Sequence, residues 1–166
     1  NEAVDIDDRP TVIRYSKDPI PDDIRIVTSH DGLDVLCDGP EDGILLVAHG
    51  QLCAEALAAV DQLDSPVRVV SPRWSLPVCG GLIEEAARAR AVVSVEDGLV
   101  VSGLGSHLAD ALSQRGMWRP IRSLGIPQRY LDHDSRSAIM AELGLDSRGI
   151  ADAVSQLVAQ LDGEYS

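Results

Sequence analysis

Ile44-Leu45-Leu46-Val47-Ala48, set between Gly43 and His49-Gly50, is an apolar run with no alternation. A strand with one wet face alternates apolar and polar residues. An unbroken run this short means a strand covered on both faces, and it is too short for a helix. The period then changes. Over 51–63, Leu52, Ala56, Leu57, Val60 and Leu63 recur at helical spacing, so an amphipathic helix follows the buried strand. The alternation repeats downstream. Val67–Val70 reads as a strand and Gly80–Arg90 as a helix carrying Leu82, Ile83, Ala86 and Ala87. Ala91–Val95 is again a strand, followed by a helix over 104–115 with Leu108, Ala111 and Leu112 inward. Ile121–Leu124 supplies the last strand. Helices over 135–143 and 147–161 close the chain, the second with Asp146 at its N-cap position. Strands alternating with helices build a mostly parallel sheet covered on both faces. The expected fold class is therefore α/β: a three-layer α/β/α sandwich with a five-stranded, mostly parallel sheet and one antiparallel edge strand.

Upstream the texture differs. Residues 1–42 hold short apolar runs, Thr11–Tyr15, Ile24–Thr28 and Leu33–Cys37, broken by Pro19, Pro21, Gly32, Gly39 and Pro40. Such punctuation reads as short strands and a linker passing from one domain into another. We expect 1–42 to be the end of a preceding domain plus linker, and 43–166 to be the regular domain. The chain opens on Asn1-Glu2-Ala3-Val4 rather than Met, which reads as the tail of a helix that begins further upstream.

Composition narrows the function. In 166 residues, 45% are apolar and Phe is absent, so the core rests on Val, Leu, Ile and Ala. A formal net charge of -13 argues against a nucleic-acid surface, which needs a basic stripe, and against an anionic membrane. The excess acid reads first as solubility. Cys37, Cys53 and Cys79 are odd in number and form no Cys-x-x-Cys pair, so neither a zinc knuckle nor a redox motif is present. They read as small apolar residues in a reducing compartment. No signal peptide and no apolar run of membrane-spanning length is seen, and a cytoplasmic location is expected.

Several polar clusters ask for a role. Gly103 and Gly105 fit the first two positions of a dinucleotide loop, but Leu108 occupies the third, and the preceding strand ends several residues earlier. The commoner meaning of these glycines is close packing of a helix start against a neighbour. Ser106 beside His107 lacks the Gly-x-Ser-x-Gly setting of a hydrolase nucleophile. Asp132-His133-Asp134 carries metal-ligand atoms, but adjacent residues converge on one ion only with a distorted backbone. A solvated turn with an N-cap at Asp134 or Ser135 is the simpler reading, and no metal is expected. His49 ends the first regular strand, at the edge where α/β folds place ligands, but a hydrogen-bonded loop histidine is the simpler reading. His30 lies in a polar turn. Glu96 and Asp97 are consecutive in an extended segment and point to opposite faces, which makes a poor acid/base pair. One of them could cap the helix that starts at Gly103. Arg14, on the apolar stretch Pro10–Tyr15, invites an anionic partner, because an unpaired buried cation is costly. A phosphate and an ordinary carboxylate suit it equally.

Read in order, Ser94-Val95-Glu96-Asp97-Gly98, Ser102-Gly103-Leu104-Gly105-Ser106, Leu124-Gly125-Ile126-Pro127, His133, Glu142–Asp146 and Gly149-Ile150 resemble one known pattern. It is that of the C-terminal domain of the 1-deoxy-D-xylulose-5-phosphate synthases, thiamine-diphosphate enzymes of the transketolase type. Gly43–Gly50 and Pro72–Pro77 resemble that domain's first strand and second strand-to-helix connection. Ser102 stands where the family's first glycine would be, and Asp134 where a glycine commonly follows the histidine. Pro10–Lys17 resembles the end of the family's pyrimidine-binding domain, an Ile-Arg-Tyr-Pro-Arg-Gly stretch, with Ser16, Lys17 and Asp18 replacing its last three residues. The resemblance implies a transketolase C-terminal-domain-like fold and a substrate-phosphate role for Arg14 in the intact enzyme. It implies no catalytic residue in this chain. His49, Glu96, Asp97, Gly103, Gly105, Ser106 and His133 remain as interface and loop candidates. It further implies condensation of pyruvate with glyceraldehyde 3-phosphate, feeding isoprenoid, thiamine and pyridoxal precursors. Thiamine diphosphate and magnesium would be held by other domains and not by this chain, whose part is scaffold and dimer contacts. The partners implied are the remaining domains of the same polypeptide and a second copy in a homodimer. A 2-oxoacid dehydrogenase β-subunit shares the fold, but the Leu-Gly-Ile-Pro and Gly-Leu-Asp elements weigh against it. A stand-alone dimerisation or regulatory module is the non-enzymatic alternative.

Overall fold

The buried run Ile44–Ala48 forms a strand at the centre of the sheet, as its lack of alternation requires. In this computed structural model, which describes residues 2–13 and 24–163, it is the third of six strands. These are β1 (Thr28–His30), β2 (Leu33–Cys37), β3 (Ile44–Ala48), β4 (Val67–Pro72), β5 (Ala91–Leu99) and β6 (Ile121–Ile126), in the order β1-β2-β4-β3-β5-β6. β3 pairs in parallel with β4 and β5, and β5 with β6. The helices are α1 (Glu2–Asp5), α2 (Leu52–Val60), α3 (Gly80–Arg88), α4 (Leu104–Ser113), α5 (Arg136–Glu142) and α6 (Ser147–Gly163).

The pleat sorts β3 into two cores. Ile44, Leu46 and Ala48 face a cluster built with Leu52 and Ala56 of α2, Met140 of α5, and Ile150, Val154 and Leu157 of α6. Leu45 and Val47 face the other way, onto Leu82, Ile83 and Ala86 of α3 and Leu104, Leu108 and Leu112 of α4. Three layers result, and among the described residues no aromatic side chain is a buried hydrophobic one.

The sheet has six strands where five were expected, and two of its pairings are antiparallel rather than one. Asp31-Gly32 is the reason. Both residues adopt positive φ, +43 and +74, and His30 pairs directly with Leu33, which is a two-residue hairpin of the primed type. The hairpin adds β1 to the edge, and β2 runs antiparallel to β4. The sheet thus takes in residues 28–37, upstream of the boundary expected at residue 43. The apolar run Ile24–Thr28 enters the ladder only at its last residue, leaving Ile26 and Val27 exposed. Thr11–Ile13 carries no strand, and Arg14, Tyr15, Ser16, Lys17 and Asp18 lie outside the described residues. Downstream, β5 extends to Leu99 past the expected Val95, with an irregularity in its pairing to β6 between those residues.

One charged pair sits inside. Arg68, on β4 between Val67 and Val69, donates from Nε and Nη2 to both carboxylate oxygens of Glu85 on α3, at 2.9 and 3.1 Å. Nη1 reaches Asp38 beyond β2. The fork satisfies a guanidinium that could not otherwise be buried.

Candidate functional site

In a parallel sheet, ligands gather outside the carboxyl ends of the strands, where successive crossovers leave in opposite directions. Here the chain passes from β3 to β4 on one side and from β5 to β6 on the other, so that crevice lies between β3 and β5. His49 and Gly50 end the one, Glu96 and Asp97 the other, and the His49 amide donates to the Val95 carbonyl at 3.2 Å. Four sequence candidates therefore meet at one edge: His49, Glu96, Asp97 and, opening α4, Gly103.

His49 is half-buried and fully engaged. Nδ1 lies 3.2 Å from the Pro72 carbonyl, which can only accept, so the proton of the neutral ring sits on Nδ1. Nε2 then accepts the Ser75 hydroxyl at 2.6 Å. Burial holds the imidazole pKa below its ordinary range, with the Pro72 hydrogen bond partly opposing the shift. The ring ties the end of β3 to the connection leaving β4. Nearby, burial likewise raises the Cys53 thiol pKa, and its Sγ lies 3.4 Å from the Ser71 hydroxyl.

Glu96 and Asp97 part company. Glu96 turns toward α4, where a Cβ on Gly103 would overlap its carboxylate and crowd the Leu99 carbonyl. Asp97 turns to the opposite face and accepts from Arg136 of α5 at 2.7 Å. They form no acid/base pair. Gly105 lies against the sheet itself, where a Cβ would overlap the hydroxyls of Ser94 and Ser123. Ser106 donates to the Val100 carbonyl at 3.2 Å. Ser102, just before, holds φ +58, a conformation that suits glycine. His133 is exposed on the turn before α5, where Ser135 caps the helix by accepting from the Ala138 amide at 3.2 Å. Arg14 lies outside the described residues.

Three helix starts, those of α3, α4 and α6, have the chain's own carboxylates close by. Asp31 of the hairpin lies against Gly80 in the first turn of α3. Glu96 lies against Gly103 at α4, and Glu55 of α2 accepts the Ser147 amide of α6 at 2.8 Å. Asp146 accepts the Gly149 amide at 2.8 Å. An anion arriving at any of these would meet like charge. Among the described residues no three His, Cys, Asp or Glu gather as a metal site. Near α3, α4 and α6 these carboxylates make a poor setting for a diphosphate. Also among the described residues, no helix is long and apolar enough to cross a membrane.

Sequence reasoning missed Ser75, Arg136, Asp31 and Glu55. The Asp-Gly dipeptide could have placed Asp31 in a turn; nothing local announces the other three, which meet their partners only through the fold.

Comparison with known proteins places the geometry. A family model described as "Transketolase, C-terminal domain" matches residues 34–150. The chain is 43% identical to 1-deoxy-D-xylulose-5-phosphate synthase 2 of Streptomyces avermitilis, over 99% of this chain and 26% of that protein. It is 40% identical to the Corynebacterium glutamicum 1-deoxy-D-xylulose-5-phosphate synthase, over 99% and 27% respectively. The chain thus spans about a quarter of the length of the curated relatives it matches. Among solved structures, a split-gene transketolase described as an inactive β4 tetramer superposes with a TM-score of 0.65 at 29% identity, covering 78% of this chain and 42% of that one. A Campylobacter jejuni transketolase superposes at 0.54 with 16% identity, covering 80% of this chain and 20% of that one, a likeness of fold alone.

Proposed function

The chain belongs to the transketolase C-terminal domain family, and on that premise we propose that it is the C-terminal part of a 1-deoxy-D-xylulose-5-phosphate synthase. The observation that carries this reading is identity of 40–44% along nearly the whole chain to proteins of that name, above the 16–29% to the solved transketolases. The intact protein joins the two carbons left when pyruvate loses carbon dioxide to the three of glyceraldehyde 3-phosphate. The product is a five-carbon 1-deoxy sugar phosphate that serves isoprenoid precursor synthesis, and thiamine precursor synthesis too. Thiamine diphosphate supplies the carbanion chemistry. It is held with magnesium by the domains upstream, in keeping with an edge here whose helix starts carry the chain's own carboxylates.

This domain contributes scaffold and the contacts of a homodimer, in the cytoplasm. Its own boundary falls near residue 24, before the hairpin, and residues 1–13 belong to the preceding domain. Arg14 holds the phosphate of the aldehyde substrate. The second reading, a 2-oxoacid dehydrogenase β-subunit, predicts transfer of the two-carbon unit to a lipoyl carrier instead. Full-length protein given pyruvate labelled at C2 and C3, glyceraldehyde 3-phosphate, thiamine diphosphate and magnesium decides between them. A labelled five-carbon sugar phosphate is expected; label passed only to a lipoyl acceptor would sink the synthase.

A further inference from the structure

Four large apolar side chains stand in solvent on loops leaving the carboxyl ends of the parallel strands. Leu76 follows β4, Leu99 ends β5 with Val101 just beyond it, and Tyr130 follows β6. The first three are about half exposed and Tyr130 fully so. Leu99 pairs with Ile126, and the Val100 amide donates to the Ile126 carbonyl at 2.9 Å, so the loops after β5 and β6 are neighbours. β4 lies three strand spacings from β6, which spreads the tips over roughly 14 Å. Between them several polar groups are paired within the chain: His49 with Pro72 and Ser75, Asp97 with Arg136, and Arg129 with Glu142 at 3.2 Å. A surface of apolar tips around internally paired polar groups costs little to desolvate and gains from being covered. That is the makeup of an interface rather than of a reaction centre.

We propose that this carboxyl edge is covered, in the full-length protein, by the part of the same polypeptide that precedes residue 1. The proposal rests on the reading of the chain as the C-terminal part of a larger synthase, and names the surface by which it is attached. Length selects the occupant. Relatives are about four times longer, this chain filling 26% of them, and that remainder meets this domain through an interface of about 600–1,500 Å². Charge disfavours a second copy. It would bring another -13 against a chain of the same charge whose edge exposes Asp132 and Asp134.

Hydroxyl-radical footprinting of the unmodified full-length protein, read residue by residue by mass spectrometry, tests this without any substitution. Leu99, Val101 and Tyr130 in the native protein should be oxidised roughly tenfold more slowly than in the denatured protein, as for a desolvated interface core. That protection should persist on dilution. Oxidation of Tyr130 at the denatured rate overturns the proposal. Protection that disappears on dilution also overturns it, in favour of a second copy. The labelled-pyruvate assay on the same preparation separates the two ideas: five-carbon product with a freely oxidised Tyr130 removes the surface and leaves the synthase standing.

Discussion

At Ser102 the backbone adopts φ +58, and each ordinary residue held in the left-handed region costs about 1–2 kcal/mol that glycine does not. Glycine's greater freedom in the unfolded chain takes part of that back, so Ser102→Gly should raise stability in urea by about 0.5–1 kcal/mol. The neighbouring position behaves oppositely. Gly103→Ala forces a methyl into the Glu96 carboxylate and the Leu99 carbonyl, and should cost about 1–3 kcal/mol, as overpacking does. His49 supplies a pH signature. Its folded pKa is depressed, so below the ordinary histidine range the unfolded chain binds more protons than the folded one. Its contribution is therefore complete above pH about 6.5 and is lost as pH falls from there through the folded value. Urea midpoints should drop across that window in the native chain, and less steeply in His49→Gln. The sequence placed His49, Glu96, Asp97 and Gly103 at strand ends and helix starts, because their spacing from apolar runs is local information. It could not name Ser75 or Arg136, since those partners arrive from a different crossover and a different helix.

Among the elements, the buried strands and the two-sided helices were legible from period alone, and their ends moved by only a few residues. The hairpin was not, although Asp31-Gly32 is a strong turn signal once two apolar runs are seen to flank it. Leu33–Cys37 forms the short strand its apolar run suggests, but its pairing across the turn depends on the sheet beyond it. Arg68 is a basic residue inside an apolar strand, the same sequence signal that Arg14 carries. Its partner Glu85 lies a full crossover away on α3. Glu85→Ala would leave that guanidinium buried against an exposed Asp38 alone, and should destabilise the chain by about 3–5 kcal/mol. The double variant Arg68→Met with Glu85→Leu should recover most of the loss, because an apolar pair of similar volume carries no desolvation penalty. Denaturant titration of the three proteins checks both statements; equal stability of Glu85→Ala and the parent chain would mean the pair contributes nothing.

Across the whole molecule, acidity and function connect. Part of the excess negative charge is stationed where helix dipoles open, at Asp31, Glu55 and Glu96. At those helix starts an arriving anion would meet like charge. Calorimetric titration of the 166-residue chain with thiamine diphosphate and magnesium should accordingly give no heat of binding, and saturable binding would contradict that account of the edge. The proposed chemistry belongs to the longer protein. Its most direct test is release of carbon dioxide from pyruvate by the full-length protein, loaded with thiamine diphosphate and magnesium, with and without glyceraldehyde 3-phosphate. Release that requires the aldehyde is the predicted result; a folded, cofactor-loaded protein that is silent with both substrates present would contradict it.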